Sequence, residues 1–320
     1  MIVSISTTEP VMDKPPFISK NKLFIVYFLL PSLILYTIFF FIPIIDSIRL
    51  SFYNSEGLIV KEFVGWGNFV KLFTQYPFRE RLFNAFSNNI KFFLIVMFIQ
   101  NFIGFAVAYL ITRRMRAANS VRKLSFLPTT LSVIVVGFLF SKLIFNPVFG
   151  VFDKVLEAVG LETWIRPWLG DPMYALPILA IVISWQFMGE TILFYTAAID
   201  NIPQEIIEAA RIDGATQLQM IRHIIIPYIM PVIGIVTILI FIGDFTQFDI
   251  VYAMTTTQGN PAYGTDLFGS LFYRAAFTVP SRGGWGIGMG AAVSTVMSIV
   301  VFIGLAGWLL FFNAKKKIDY

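Results

Sequence analysis

Apolar positions run together in long stretches along this chain, and polar positions gather between them instead of alternating along strand or helix faces. Charge-free runs at 23–45, 92–112, 124–141, 173–189, 228–243 and within 283–314 are each of the order of the roughly 20 residues that cross about 30 Å of hydrocarbon as a helix. The pattern predicts an all-α membrane protein with six transmembrane helices. The first run is longer than the apolar core of a secretory signal and no small-residue cleavage site follows it, so it reads as an anchor. Pro31, Pro43, Pro128, Pro177 and Pro231 lie inside or at the ends of runs, which lipid-embedded helices tolerate when neighbours re-satisfy the freed backbone groups.

Composition agrees with the pattern. The chain is 57% hydrophobic and 13% charged, with a mean hydropathy of +0.76, whereas about a quarter of the residues of soluble domains are charged. Cysteine is absent, which excludes disulfides and thiolate metal sites. The formal charge of +5 sits beside apolar runs, where it orients helices in a bilayer; it does not call for nucleic acid. With the N-terminus inside, 13 of the 24 Lys and Arg fall in inner segments and 11 in outer segments nearly twice as long. Both termini are therefore expected in the cytoplasm. The organisation expected is a disordered cytoplasmic N-tail over 1–22, a six-span domain over 23–313 with a cytoplasmic loop at 200–227, and a C-tail over 314–320. The outer segments read as loops with short helices, too small for enzymatic domains.

The loop departs from its surroundings. "IIEAARIDGATQLQMIRHIIIP" holds Glu208, Asp213, Arg211, Arg222 and the single histidine, His223. Pro203 suits a first helical position, and Glu205 and Glu208 lie where the helix dipole favours acids. Pro203, Ile206, Ile207 and Ala210 share one face; Gln204, Glu205, Glu208 and Arg211 share the other. Gly214 supplies a left-handed turn, and Thr216 with Gln219 makes a capping box for a second helix that ends before Pro227. Such a stiff element suits the transmission of displacement. It also fits a helix lying on lipid headgroups, although its acids disfavour an anionic leaflet.

"IPQEIIEAARIDGATQLQMIRHIIIP" resembles the EAA loop of the membrane subunits of binding-protein-dependent ABC importers, with Glu208, Ala209, Ala210, Asp213, Gly214 and Pro227 in register. "FVGWGNFVKLF", "PWLGDPMYALPILAIVISWQFMG", "FDIVYAMTTTQGNP" and "YRAAF" extend the likeness to the sugar-transporter branch over most of residues 20–313. Ile221, Ile226 and "QGNP" depart from the residues commonest there. The resemblance implies a type I ABC importer permease fold of the maltose-transporter kind, the first of two non-identical permease subunits in a bacterial or archaeal cytoplasmic membrane. It further implies two cytoplasmic ATPase subunits that carry ATP and Mg, and an extracytoplasmic solute-binding protein that delivers a sugar or oligosaccharide. By the same resemblance, Glu205, Glu208, Ala209, Ala210, Arg211, Asp213 and Gly214 form the ATPase-coupling element, with Glu208 pairing a basic residue of the ATPase.

Ionisable groups inside spans are costly and mark function or helix pairing. Glu190 lies ten residues before Asp200, about 15 Å along a helix, and Gln186 shares its face. Asp244 and Gln247 share a face near the outer part of the fifth span, beside Phe248. Carboxylates, amides and aromatic rings suit sugar hydroxyls and sugar faces, so Gln186, Glu190, Asp244, Gln247 and Phe248 are candidates for the cargo path; the competing reading of Glu190 and Asp244 is helix gluing. "GIGMGA" at 286–291 follows no predicted strand, and its small residues suit close helix packing. His223 has no second ligand for a metal, and no catalytic constellation or phosphate-cradling loop is present, so no enzyme activity is expected. The function expected is ATP-driven import by alternating access. The alternative is an ion-coupled carrier or channel without an ATPase partner, which would want more intramembrane acids and an internal repeat. The sugar itself is left open among neutral oligosaccharides, uronate oligomers and glycerol 3-phosphate.

Overall fold

The computed structural model describes residues 19–113, 117–278 and 285–316. Residues 1–18 of the tail expected over 1–22 and residues 317–320 of the tail expected over 314–320 lie outside these residues; 19–22 and 314–316 are helical. The chain divides into two compact units, Met1–Ser47 and Ile48–Tyr320.

The first unit is a helical run, α1 (Ser19–Tyr36), a π turn (Thr37–Phe41) and the start of α2 (Ile42–Leu50). It begins four residues before the predicted run, and its apolar side chains, such as Phe28, Leu33 and Phe39, are exposed.

The second unit opens with a feature the hydropathy pattern did not predict. Strands β1 (Tyr53–Glu56) and β2 (Ile59–Phe63) form an antiparallel hairpin, with Ser55 opposite Val60 and a bulge between Tyr53 and Ser55. Gly57, at φ +57°, supplies the turn. After α3 (Gly67–Thr74), α4 (Phe78–Thr112) runs 35 residues. Then come α5 (Ala118–Phe126), α6 (Val133–Leu139), α7 (Val151–Ala158) and α8 (Pro172–Asp200). The chain closes with α9 (Gln204–Ile212), α10 (Gln217–Met220), α11 (Ile226–Phe245), α12 (Asp249–Thr255), α13 (Phe268–Tyr273) and α14 (Ile287–Lys316).

Among the described residues, five helical runs are long and apolar enough to cross a membrane, or six if one bent pair counts as a span. That pair is the predicted third span, 124–141. The structure breaks it: Ala118–Thr130 and Val133–Ile144 meet at 96°. Pro128 sits in a 3₁₀ turn (Leu127–Thr130), where it has no N–H to continue a ladder, and Leu131 and Ser132 are extended. A second difference concerns the loop after α9, where two separate helices were expected. Instead α10 passes through a π turn (Ile221–Ile225) directly into α11, so the fifth span starts at Gln217 and Pro227 lies inside the run.

Lipid tails are as apolar as leucine, so helices in a bilayer are held by close packing and buried polar bonds. The α4–α8 pair shows both. A Cβ on Gly104 would lie 2.6 Å from Thr191 Cγ2, and the Tyr195 hydroxyl donates to Asn101 Oδ1. Phe92, Leu179, Ile183, Ile192, Ile229 and Ile250 form the main core; Leu72, Leu82, Phe268, Met289 and Val293 form a second.

The small residues of "GIGMGA" serve packing, but against the hairpin. A Cβ on Gly288 would lie 2.1 Å from the Tyr53 carbonyl oxygen, while the Gly288 and Ile287 amides, free at the start of α14, donate to Ser55 Oγ and the Gly57 carbonyl at 2.8 Å. The segment between α12 and α13 is clamped as well. Asn84 and Asn88 amides donate to the Tyr263 carbonyl, Arg274 donates to the Thr257 carbonyl, and the buried Arg274 pairs with buried Asp266. Thr256, Ala262 and Tyr263 hold positive φ angles there, a strained conformation for residues with a Cβ.

Candidate functional site

Two places gather the predicted residues. The first is the loop at 200–227. Ile202 is buried and Pro203 stands just before α9 as its N-cap, one position earlier than the first helical place the sequence suggests. Glu205 lies in the first turn, facing the positive end of the helix dipole. Ile207 packs against the main core, while Glu205, Glu208, Ala209 and Arg211 are exposed and Ala210 is half-buried. Gly214 closes the helix at φ +76°, and the Ala215 amide donates to the Ala210 carbonyl at 2.9 Å. Asp213 is exposed at the turn. The capping box forms as the sequence predicts: the Thr216 amide donates to Gln219 Oε1 at 2.8 Å and the Gln219 amide to Thr216 Oγ1 at 3.4 Å.

Ile212 and Leu218 flank this turn at 86% and 73% exposure. Apolar side chains that open, beside exposed acids, make a face suited to a protein partner. A cleft of about 450 Å³ runs between α4, the end of α8 and α9, lined by Arg113, Asp200, Ile207, Glu208 and Arg211 among others. Tyr109 at its edge donates to Gln217 Oε1 at 3.0 Å and fixes the start of α10 to the end of α4. Tyr109 was not singled out by sequence reasoning; a tyrosine in an apolar run carries no distinguishing signal. His223 contacts the Gln219 carbonyl, and no cluster of three metal-ligating groups occurs among the described residues.

The second place is a cavity of about 360 Å³ between α4, α6, α8 and α11. Glu190, Asp244 and Gln247 line it, together with Phe187 and Phe194. Gln100 and Thr191 also line it, joined by a 3.3 Å hydrogen bond from the Thr191 hydroxyl to the Gln100 amide oxygen. Gln100 had a readable signal, one of two adjacent amides, with Asn101, within a charge-free run.

Gln186 and Phe248 are placed elsewhere. Gln186 is fully buried; its side-chain amide donates to the Leu131 carbonyl and its backbone carbonyl accepts from the Thr129 hydroxyl, both at 2.9 Å, which ties α8 to the break between α5 and α6, while its Oε1 has no partner. Phe248 stacks on Tyr273 and Tyr252, with ring centroids 4.9 and 5.7 Å away. Asp244 is 5% exposed, and its Oδ2 has no hydrogen-bond partner. The Asn89 side chain reaches only its backbone carbonyl.

Residues 100–313 match the model of the family described as binding-protein-dependent transport system inner membrane component. The chain belongs to that family. Among curated members, the probable ABC transporter permease protein YurN of Bacillus subtilis is 30% identical over 94% of this chain and 99% of its own length. The lactose transport system permease protein LacF of Rhizobium radiobacter is 31% identical over 91% and 93%. A solved bacterial ABC transporter that imports the acidic polysaccharide alginate superposes with a TM-score of 0.75 at 22% identity, covering 93% of this chain and 96% of that one. This ABC importer permease accordingly has the type I fold, in a multi-pass membrane chain.

Proposed function

We propose that this permease moves a sugar or oligosaccharide from an extracytoplasmic binding protein into the cytoplasm, driven by ATPase subunits on other chains. The observation that carries this reading is the α9 turn: a helix that packs the half-buried Ile207 on the main core, closes at Gly214, and leaves Glu208, Ala209, Ile212 and Leu218 exposed. A lipid-facing helix would keep its apolar residues on one side and bases on the other, whereas here acids and open apolar side chains share the exposed surface. Relatives that carry lactose, α-glucosides and starch degradation products support a carbohydrate cargo.

On this reading both termini are cytoplasmic, a second permease completes the pore, and two ATPases hold the ATP and Mg. Their closure displaces α9, and Tyr109–Gln217 passes that displacement to α4 and α11, so that the cavity between the two permeases exchanges its inward opening for an outward one. Glu208→Lys tests the proposal. The variant is expected in the membrane at normal level with markedly weaker ATPase co-purification; unaltered co-purification and uptake would overturn it.

A further inference from the structure

The cavity between α4, α6, α8 and α11 is lined by acidic side chains and by no basic ones. Two carboxyl groups, Glu190 and Asp244, line it, and no Lys, Arg or His does. Neither carboxylate is spent on an ion pair among the described residues, and Asp244 Oδ2, although buried, has no partner at all. An unpaired buried acceptor is costly, and is retained where a ligand or a moving element completes it. The remaining polar groups are neutral. The Gln247 side-chain oxygen accepts from the Phe248 amide at 3.2 Å and the Gln100 oxygen accepts from Thr191, which leaves the two NH₂ groups as donors. The set therefore offers two carboxyl acceptors, two amide donors and the faces of Phe187 and Phe194.

We propose that this cavity is an anion-excluding filter whose cargo is an uncharged, hydroxyl-rich saccharide unit. The inference rests on the cavity being part of the cargo path, as proposed above. Sugar hydroxyls donate to the carboxyl oxygens and accept from the glutamine NH₂ groups, while ring C–H faces pack on the phenylalanines. A uronate, phosphate or sulfate group brings a negative charge into low-dielectric surroundings beside two acids and finds no fixed cation there. The filter rejects by withholding a countercharge as well as selecting by contact. A cavity of this volume, at the low end of ligand pockets, suits one small saccharide unit at a time.

The test uses the complete transporter: this chain with its second permease, ATPases and cognate binding protein. Mass spectrometry first identifies the solute that the binding protein carries. A neutral saccharide is expected, and a solute with a carboxylate, phosphate or sulfate overturns the proposal. Equilibrium dialysis then compares retention, by the nucleotide-free complex, of that radiolabelled saccharide and of its derivative with one primary alcohol oxidised to a carboxylate. Wild type is expected to favour the neutral form by about tenfold or more, Asp244→Glu to keep that ratio, and Glu190→Gln with Asp244→Asn to narrow it to about threefold or less. Equal retention by wild type, an unchanged ratio in the double variant, or retention of neither solute overturns the filter. ATPase co-purification is read in the same samples: if it holds while the ratio fails, the importer reading stands and only the filter falls.

Discussion

The Gln186 side-chain amide donates to the Leu131 carbonyl at 2.9 Å, joining α8 to the one extended stretch that interrupts the third hydrophobic run. A carbonyl released by a broken helix must find a donor inside the protein, because hydrocarbon offers none. Gln186→Leu takes the donor from the Leu131 carbonyl but also removes Gln186 Oε1, which is buried without a partner, so it is expected to cost about 1 kcal/mol. Thermal unfolding of the solubilised complex should show the loss, while ATPase co-purification, which depends on α9, is retained. An unshifted unfolding temperature would mean that another group satisfies Leu131.

Gly189 lies at the same crossing. A Cβ there would stand 2.4 Å from the Ser125 carbonyl oxygen and 2.5 Å from Phe126 Cα, both backbone atoms that cannot swing aside. Gly189→Ala is expected to destabilise by about 1–3 kcal/mol through overpacking. The same thermal assay reads the effect, and a neutral result would show that α5 can withdraw from α8.

Two ion pairs set buried against exposed charge. Asp266 and Arg274 are both buried, and burial, opposed by the Arg274 and Ser270 bonds, leaves the Asp266 carboxyl above its ordinary range. Arg274→Ala strands that acid and is expected to cost about 3–5 kcal/mol. Lys61→Ala, at a half-exposed pair with Glu56, should cost about 0–1 kcal/mol. Limited proteolysis within 256–266 checks the first change; equal protection of both variants would contradict it.

Asp244→Ala is expected to lower uptake by about tenfold or more while leaving ATPase assembly intact, since Asp244 lines the cavity, away from α9, and its Oδ2 holds no hydrogen bond. Loss of assembly would make it a structural residue.

The spans were legible because a run of about 20 apolar residues matches the thickness of a bilayer and far exceeds what a soluble core element needs, and the α9 turn was legible because Gly214, Thr216 and Gln219 act locally. What was hidden depends on distant partners. Pro128 announces a possible break, but its depth depends on Gln186, 55 positions from Leu131, being free to satisfy it. Gln186 consequently read as a cargo residue beside Glu190, although one face of a helix can turn two neighbours to different partners. The hairpin at 53–63 escaped hydropathy because it is short, charged and seated on Gly288 from the far end of the chain.

The central claim, that α9 docks an ATPase, has a direct test in a chain that contains no cysteine. Ala209 is exposed in the present structure, so Ala209→Cys introduces a single reporter thiol on the proposed docking face. Its rate of maleimide labelling is measured in membranes containing the permease pair alone and again with the ATPase subunits assembled. The account predicts rapid labelling alone and strong protection, about tenfold or more, in the complete complex. Equal labelling rates in the two preparations would contradict it.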